Sequence, residues 1–386
     1  MKIVVVASLA YSLINFRGRL IRDMVANGHE VVTCAPDEDP EVTAQLAALG
    51  VAYRSMPMAR TGLNPLADVR TLLWLVGLIR RERPGLVLAY TQKPIIYAGL
   101  ASRITRCSHY FAMVSGLGHA FGEGSGRWLR SLVAVLYRSA LKRAKGVFVF
   151  NADDRAEMLR HHMITPEARV VRVPGTGVDL DHYQSVPLPS GPPRFLMIAR
   201  LLSSKGLFEY AEAARRIRAR YPEIRFELLG PTDPGPAGIK AAQIQEWVAE
   251  GVIDYLGEAR DVRPILAACS VFVLPSWYRE GLPRTILEAM ATGRPVITTN
   301  MPGCREAIQR GLNGFLVAPH DPASLETAMM QFVQNPRLAS TMGAHARRTA
   351  TGFSVQLVNE ILLSTMALRT VAPVSTARRK ANGAFA

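Results

Sequence analysis

The sequence is poor in cysteine pairs, in long apolar runs and in acid. Its four cysteines, Cys34, Cys107, Cys269 and Cys304, lie far apart and form no Cys-x-x-Cys or Cys/His ligand spacing. That excludes a disulfide framework and a structural zinc site and leaves buried free thiols, which suit a reducing cytoplasm. The longest apolar stretch, Leu72 to Ile79, is under half of the roughly 20 residues that cross a bilayer, so no membrane span is expected. The opening MKIVVVAS has one lysine followed by a strand-like run, without the longer apolar core and cleavage site of a signal peptide, so a cytoplasmic location is expected. Asp and Glu number 31 against 46 Lys and Arg, and the net charge of +15 calls for an acidic partner: nucleic acid, a phosphorylated substrate or an anionic membrane face.

Many of the basic residues fall in GRWLRSLVAVLYRSALKRAKG, where Arg127, Arg130, Arg138, Lys142, Arg143 and Lys145 accompany apolar residues at helical spacing. Two readings fit: a helix resting peripherally on anionic lipid, or a half-buried core helix with solvated charges.

At 386 residues, 49% of them hydrophobic, the chain is too large for one ordinary core. Short β-branched runs (IVVVAS, HEVVTCA, GLVLAY, GVFVFN, then RFLMIAR, IRFELLG, IDYLG, VFVLPS, PVITTN) alternate with amphipathic helical patterns. This alternation specifies α/β architecture with parallel sheets covered on both faces. A Pro-rich break between Ser185 and Pro193 separates the two series. The expected organisation is two doubly wound, Rossmann-like domains, 1–183 and 194–352, joined by a linker at 184–193. Residues 353–370 would return as a helix onto the first domain, and the basic tail 371–386 is assigned no structure. Such sheets bind ligands beyond the carboxyl ends of their strands, so two facing domains make one cleft.

The strongest motif runs from Pro275 to Pro295, PSWYREGLPRTILEAMATGRP. A strand ends in a loop carrying Glu280, and a helix starting near Pro283 carries Glu288. The loop carboxylate can reach into the cleft, while the helix N-terminus aims free N–H groups at a phosphate. Directly after the first strand of the second series come Arg200 and Lys205, a planar fork and a point charge suited to gripping a diphosphate, so that no acidic ligand is needed nearby. Two such cations can absorb the charge of a nucleoside diphosphate leaving group, a role otherwise given to a metal ion.

Arg200, Lys205, the Glu280-x7-Glu288 spacing and the following Ala-Met-Ala-x-Gly-x-Pro-Val closely resemble the retaining glycosyltransferase family 4, and the resemblance covers most of the chain. The stretches Asn15-Phe-Arg17, Tyr90-Thr-Gln-Lys-Pro94, Val114-Ser-Gly-Leu-Gly118 and Gly175-Thr-Gly-Val-Asp179 resemble the subgroup that builds glycans on undecaprenyl diphosphate, including N-acetylgalactosaminyltransferases. The resemblance implies the GT-B fold, a UDP-sugar co-substrate carrying a hexose or N-acetylhexosamine, no metal or other cofactor, and a lipid-diphosphate-linked acceptor met at the inner face of the cytoplasmic membrane. It implies that Glu280 contacts the donor sugar, Glu288 the ribose, and Arg200 and Lys205 the diphosphate. Backbone around Gly281, Leu282, Arg284 and Thr285 would meet sugar and phosphates, and the loop at Leu256, Gly257 and Glu258 would border the base. Retention would follow from same-face attack, with a donor phosphate oxygen helping to deprotonate the acceptor.

On the first half, Arg17 and Lys93 are candidates for an acceptor diphosphate, with unpartnered surface placement the competing reading. Gly118 belongs to a glycine-rich segment with Gly116, Gly122, Gly124 and Gly126, read either as a lid over the acceptor or as plain turn chemistry. His119 stands where the subgroup often has an aromatic, and an acid-base or sugar-binding part is one reading of it. Asp37-Glu-Asp39 and Asp179-Leu-Asp181 have the Asp-x-Asp form of a cation site but stand away from Arg200 and Lys205, so no metal is assigned. Competing functions are a transferase with a soluble acceptor, a nucleotide-sugar epimerase, phosphorylase or binding protein of similar fold, and a nucleic-acid-binding protein. The last lacks any recognised module, and no nucleic acid is expected.

Overall fold

The computed structural model describes residues 1–59, 62, 64–118, 121 and 126–369. His119, Gly122, Gly124 and the tail 371–386 lie outside the described residues.

Two fully parallel sheets form the molecule, as the alternating pattern predicts. The first orders its strands β3-β2-β1-β4-β5-β6-β7, from β1 (Lys2–Val6), β2 (Glu30–Ala35), β3 (Ala52–Ser55), β4 (Leu86–Tyr90), β5 (His109–Val114), β6 (Gly146–Val149) and β7 (Val170–Arg172). Helices α1 (Ala10–Asn15), α2 (Gly18–Ala26), α3 (Pro40–Ala48), α4 (Pro65–Glu82), α5 (Gln92–Thr105), α6 (Arg127–Leu141) and α7 (Ala152–Arg160) connect them. Their ends follow local chemistry. Asn64 accepts from Ala67 N at 3.2 Å, with Pro65 in the first turn of α4, and Asn151 accepts from Asp154 N at 2.7 Å to start α7.

The second sheet orders β10-β9-β8-β11-β12-β13, from β8 (Arg194–Ile198), β9 (Arg225–Leu229), β10 (Asp254–Tyr255), β11 (Val271–Leu274), β12 (Val296–Thr299) and β13 (Gly314–Val317). Around it lie α8 (Leu207–Arg218), α9 (Ala241–Ala249), α10 (Arg263–Ala268), α11 (Arg284–Ala291), α12 (Pro322–Gln334) and α13 (Pro336–Ala350). Residues 184–193 contain no helix or strand and lead into β8. The last helix, α14 (Val355–Thr365), packs on α2 of the first domain. Asn359 Nδ2 donates to Asp23 Oδ2 at 2.6 Å, and Val355 N to Val178 O at 2.9 Å.

One face of the first sheet, under α4, α5 and α6, has its own apolar core built on Val4, Val87, Ala112 and Val147. The opposite face merges through Phe150, Val178 and Leu282 into the core of the second domain. At roughly 1.5–3 kcal/mol for each large apolar side chain buried, this continuous core holds the two sheets in one arrangement and sets the cleft between their carboxyl ends. Among the described residues no helix is long and apolar enough to cross a membrane. All four cysteines are free, three of them buried.

Candidate active site

The cleft is built by loops that leave strand ends and lock onto each other. After β8 the chain makes a 3-10 turn, Ser203–Lys205, and after β11 it runs through Pro275 to Tyr278. Trp277 N and Tyr278 N donate to Ser204 O at 3.0 and 3.2 Å. Gly206, at φ +81°, makes the approach possible, because any Cβ there would collide with Pro275 O. Two segments 75 residues apart are thereby fused, and their charges meet: Lys205 Nζ donates to Glu280 Oε1, an ion pair with both side chains largely shielded from solvent. Ser276 Oγ donates to the same carboxylate oxygen at 3.0 Å. The Lys205 ammonium also lies 5.4 Å from the centre of the Tyr278 ring, within cation–π range.

The first domain presses on this loop from the other side. Gly281 has no room for a side chain, since a Cβ would run into Ser115 O and the Phe150 ring. Asn151 Nδ2 donates to Gly281 O at 3.1 Å across the domain boundary. Gly118, at φ +70°, faces the Tyr278 hydroxyl. Glu280 is thus held at the junction of both sheets' loops.

Behind it, α11 opens with Arg284 and Thr285 and carries Glu288 one turn on. Arg284 Nε lies 2.8 Å from Glu288 Oε1, and the same guanidinium donates to Asn15 O of the first domain. Glu288 is buried, and Tyr183 is pushed up by its own burial and then by the Glu288 charge. Leu282 is buried against Gly175. The loop of Leu256, Gly257 and Glu258 follows β10; Gly257 O accepts from Gly230 N at 2.8 Å, and Glu258 is exposed.

Three expected groupings differ from the structure. Arg200 does not stand with Lys205; it is 57% exposed and pairs with Asp233 at 3.2 Å. The two cations have separate acidic partners, Asp233 for Arg200 and Glu280 for Lys205. Lys93 does not stand as a free cation beside Arg17, because its Nζ lies 3.0 Å from Asp68 Oδ1 between α5 and α4. Arg17 is buried rather than on the surface, stacked over Tyr90 with 4.0 Å from Cζ to the ring centre. The two Asp-x-Asp segments serve local structure. Asp39 Oδ1 caps α3, Asp37 Oδ1 accepts from Ala10 N at 2.8 Å, and Asp179 Oδ1 accepts from Asp181 N and His182 N. Among the described residues no three His, Cys, Asp or Glu side chains converge as a ligand set.

Sequence reasoning missed Ser276, Tyr278, Asn151, Asp233 and Tyr90. The first two lie inside the quoted motif and were open to detection. The others contribute through partners 33 to 130 residues away, which no local spacing signals.

Asn151 also donates to Asp154 Oδ2 at 2.9 Å, while Asp154 Oδ1 is buried without a hydrogen-bond partner among the described residues. Burial pushes the Asp154 carboxyl up to about 7, with Asn151 and Arg279 opposing and Asp153 and Glu306 reinforcing the rise. The folded state therefore holds this proton long after the unfolded chain has lost it near pH 4. Its contribution to stability is full below about pH 4 and is lost as pH rises through about 7. Asp154→Asn keeps the amide hydrogen bond and removes the titration. It is expected to be more stable than the wild type at pH 8, by up to roughly 4 kcal/mol, and to differ little at pH 4. Thermal melts from pH 4 to 8 check this, and parallel curves would refute it.

Comparison with known proteins places this geometry. Residues 15–176 match the family model "Glycosyl transferase 4-like domain" and residues 192–335 the model "Glycosyl transferases group 1". The chain is 25% identical over 362 residues to the N,N'-diacetylbacillosaminyl-diphospho-undecaprenol alpha-1,3-N-acetylgalactosaminyltransferase of Campylobacter jejuni, covering 90% of this chain and 93% of that one. It is 24% identical over 314 residues to the Escherichia coli UDP-Gal:alpha-D-GlcNAc-diphosphoundecaprenol alpha-1,3-galactosyltransferase, covering 78% and 79%. Its fold matches Anabaena HepE, solved in complex with UDP-glucose, with a TM-score of 0.76 at 18% identity over 95% of this chain and 99% of that one. With two family models spanning both sheets and the cleft between them, the chain belongs to the group 1, family-4-like glycosyltransferases and has their GT-B fold.

Proposed function

We propose that this glycosyltransferase moves a hexose or N-acetylhexosamine from a UDP-sugar to a sugar carried on undecaprenyl diphosphate, with retention at the anomeric carbon and without a metal ion. The observation that carries the reading is the Lys205–Glu280 pair, formed where the loops after β8 and β11 meet and pressed from above by the first domain. A nucleotide sugar laid across the carboxyl ends of β8 to β11 would place its diphosphate at Lys205, within reach of Arg200 once that side chain leaves Asp233. Lys205 then offsets the charge that develops on the departing UDP. Glu280 accepts from sugar hydroxyls and sets negative charge near an oxocarbenium-like transition state, as a positioning group rather than a nucleophile. Glu288 accepts from the ribose hydroxyls, and the first N–H groups of α11 face a phosphate.

The lipid-linked acceptor is supported by the C. jejuni and E. coli relatives, whose names specify diphospho-undecaprenol substrates. A UDP donor is supported by the E. coli name and by the HepE complex. Peripheral attachment to the inner face of the cytoplasmic membrane is supported by α6, which exposes Trp128 and Val135 beside Arg127, Arg138 and Lys142.

The stereochemical part is tested by proton NMR of the transfer product. An α-linked UDP-sugar is expected to give an α-linked glycan, and a β-linked product would reject retention.

A further inference from the structure

Where the first domain meets α11, the guanidinium groups of Arg17 and Arg284 lie near each other, and a carboxylate, Glu288, pairs with Arg284. Arg17 stands between α1 and α2, is 7% exposed, and has no carboxylate partner among the described residues. One of its N–H groups donates to Phe16 O at 3.1 Å, and its face rests on the Tyr90 ring. The Tyr90 hydroxyl, at the carboxyl end of β4, is buried with no hydrogen-bond partner among the described residues. Arg284 reaches over from α11 to Asn15 O, with its Cζ 5.1 Å from the Phe16 ring. Glu288 pairs with Arg284 and, among the described residues, with no second guanidinium. Burial, and then the nearby Arg284 charge, draw the Arg17 guanidinium below its usual range.

An uncompensated buried cation and an unsatisfied buried hydroxyl each cost stability and are retained where a ligand completes them. Core packing does not explain this arrangement, since an apolar side chain stacks on tyrosine without the charge. We propose that Arg17, Tyr90 and Arg284 form a second anion subsite, on the first-domain side of the cleft, for a phosphoryl group of a diphosphate. Arg17 and Arg284 supply planar forks matched to phosphate oxygens, and the Tyr90 hydroxyl supplies one further donor. Lys93, held by Asp68, is not part of it. The proposal rests on the reading of the cleft as a site of glycosyl transfer, in which donor and acceptor both carry diphosphates.

The full-chain protein is titrated calorimetrically with inorganic pyrophosphate, alone and with saturating UDP, as wild type, Arg17→Gln and Tyr90→Phe, after the melting temperature of each is recorded. Arg17→Gln is expected to weaken pyrophosphate about tenfold or more and Tyr90→Phe about threefold. The tyrosine variant loses a single oxygen and keeps the test available should the arginine variant fail to fold. Pyrophosphate binding that persists under saturating UDP assigns the subsite to the acceptor's diphosphate. Competition by UDP, with UDP itself weakened about tenfold in Arg17→Gln, assigns it to the donor's. Affinities for both ligands within about twofold of wild type in both variants, too small for a lost charge-assisted bond, overturn the proposal. A wild type that binds pyrophosphate through Arg17 but not UDP strikes the donor reading and leaves the subsite standing.

Discussion

Replacing Glu280 by glutamine is expected to lower kcat for sugar transfer by about two to three orders of magnitude, with the melting temperature nearly unchanged. Among the described residues the side chain, partly shielded, bonds to Lys205 and Ser276 alone, so the neutral isostere keeps the loop's packing. It loses the negative charge set against the positive sugar carbon and the anchor that aims Lys205. Lys205→Ala should cost a similar factor and also weaken UDP, because in the proposed reading the ammonium faces the diphosphate. The two residues act as a unit, so the double variant should be little worse than either single one. Alanine at both positions in a folded protein that still transfers sugar would remove this cleft from the reaction.

The largest expected loss of stability comes from Arg294, which takes no part in the chemistry. Its guanidinium is fully buried and makes five hydrogen bonds, to the carbonyls of Leu266, Val186, Thr292, Pro187 and Ala267. All five of its N–H groups are satisfied. They tie the linker at 186–187 to the end of α10 and the end of α11, and so fix α11 against the strand that follows it. Arg294→Met leaves those buried carbonyls without donors and is expected to cost about 4 kcal/mol, a fall of roughly 8–16 °C in melting temperature. Lysine rescues only partly, having three donors and no planar fork. A methionine variant that melts within about 2 °C of wild type, less than 1 kcal/mol, would contradict this role.

The fold was legible because its central strands are continuous β-branched or apolar runs between helical patterns, as sheets buried on both faces demand. Four strands were not. β3 is a partly exposed edge, AYRS, and β7 has only three residues at the other edge. β5 begins with an exposed histidine, and β13 opens on Gly314, where a Cβ would strike Val296 O. Lys205, Glu280 and Glu288 were legible as candidates because each lies on the loop or helix that follows a strand, positions a local motif can specify. The partners were not: Asp233 on Arg200, Asp68 on Lys93 and Tyr90 under Arg17 arise from chain crossings. A sequence shows that cations are present but not which carboxylates neutralise them, and for that reason the proposed anion subsite joins Arg17 to Arg284 rather than to Lys93.

The most direct test incubates the protein in EDTA with membranes containing undecaprenyl-diphosphate sugars and a panel of radiolabelled UDP-sugars, then counts label in the organic-extractable lipid. Label from one UDP-sugar, absent in Glu280→Ala, is the expected result. Neither lipid label nor UDP release from any donor would contradict the account.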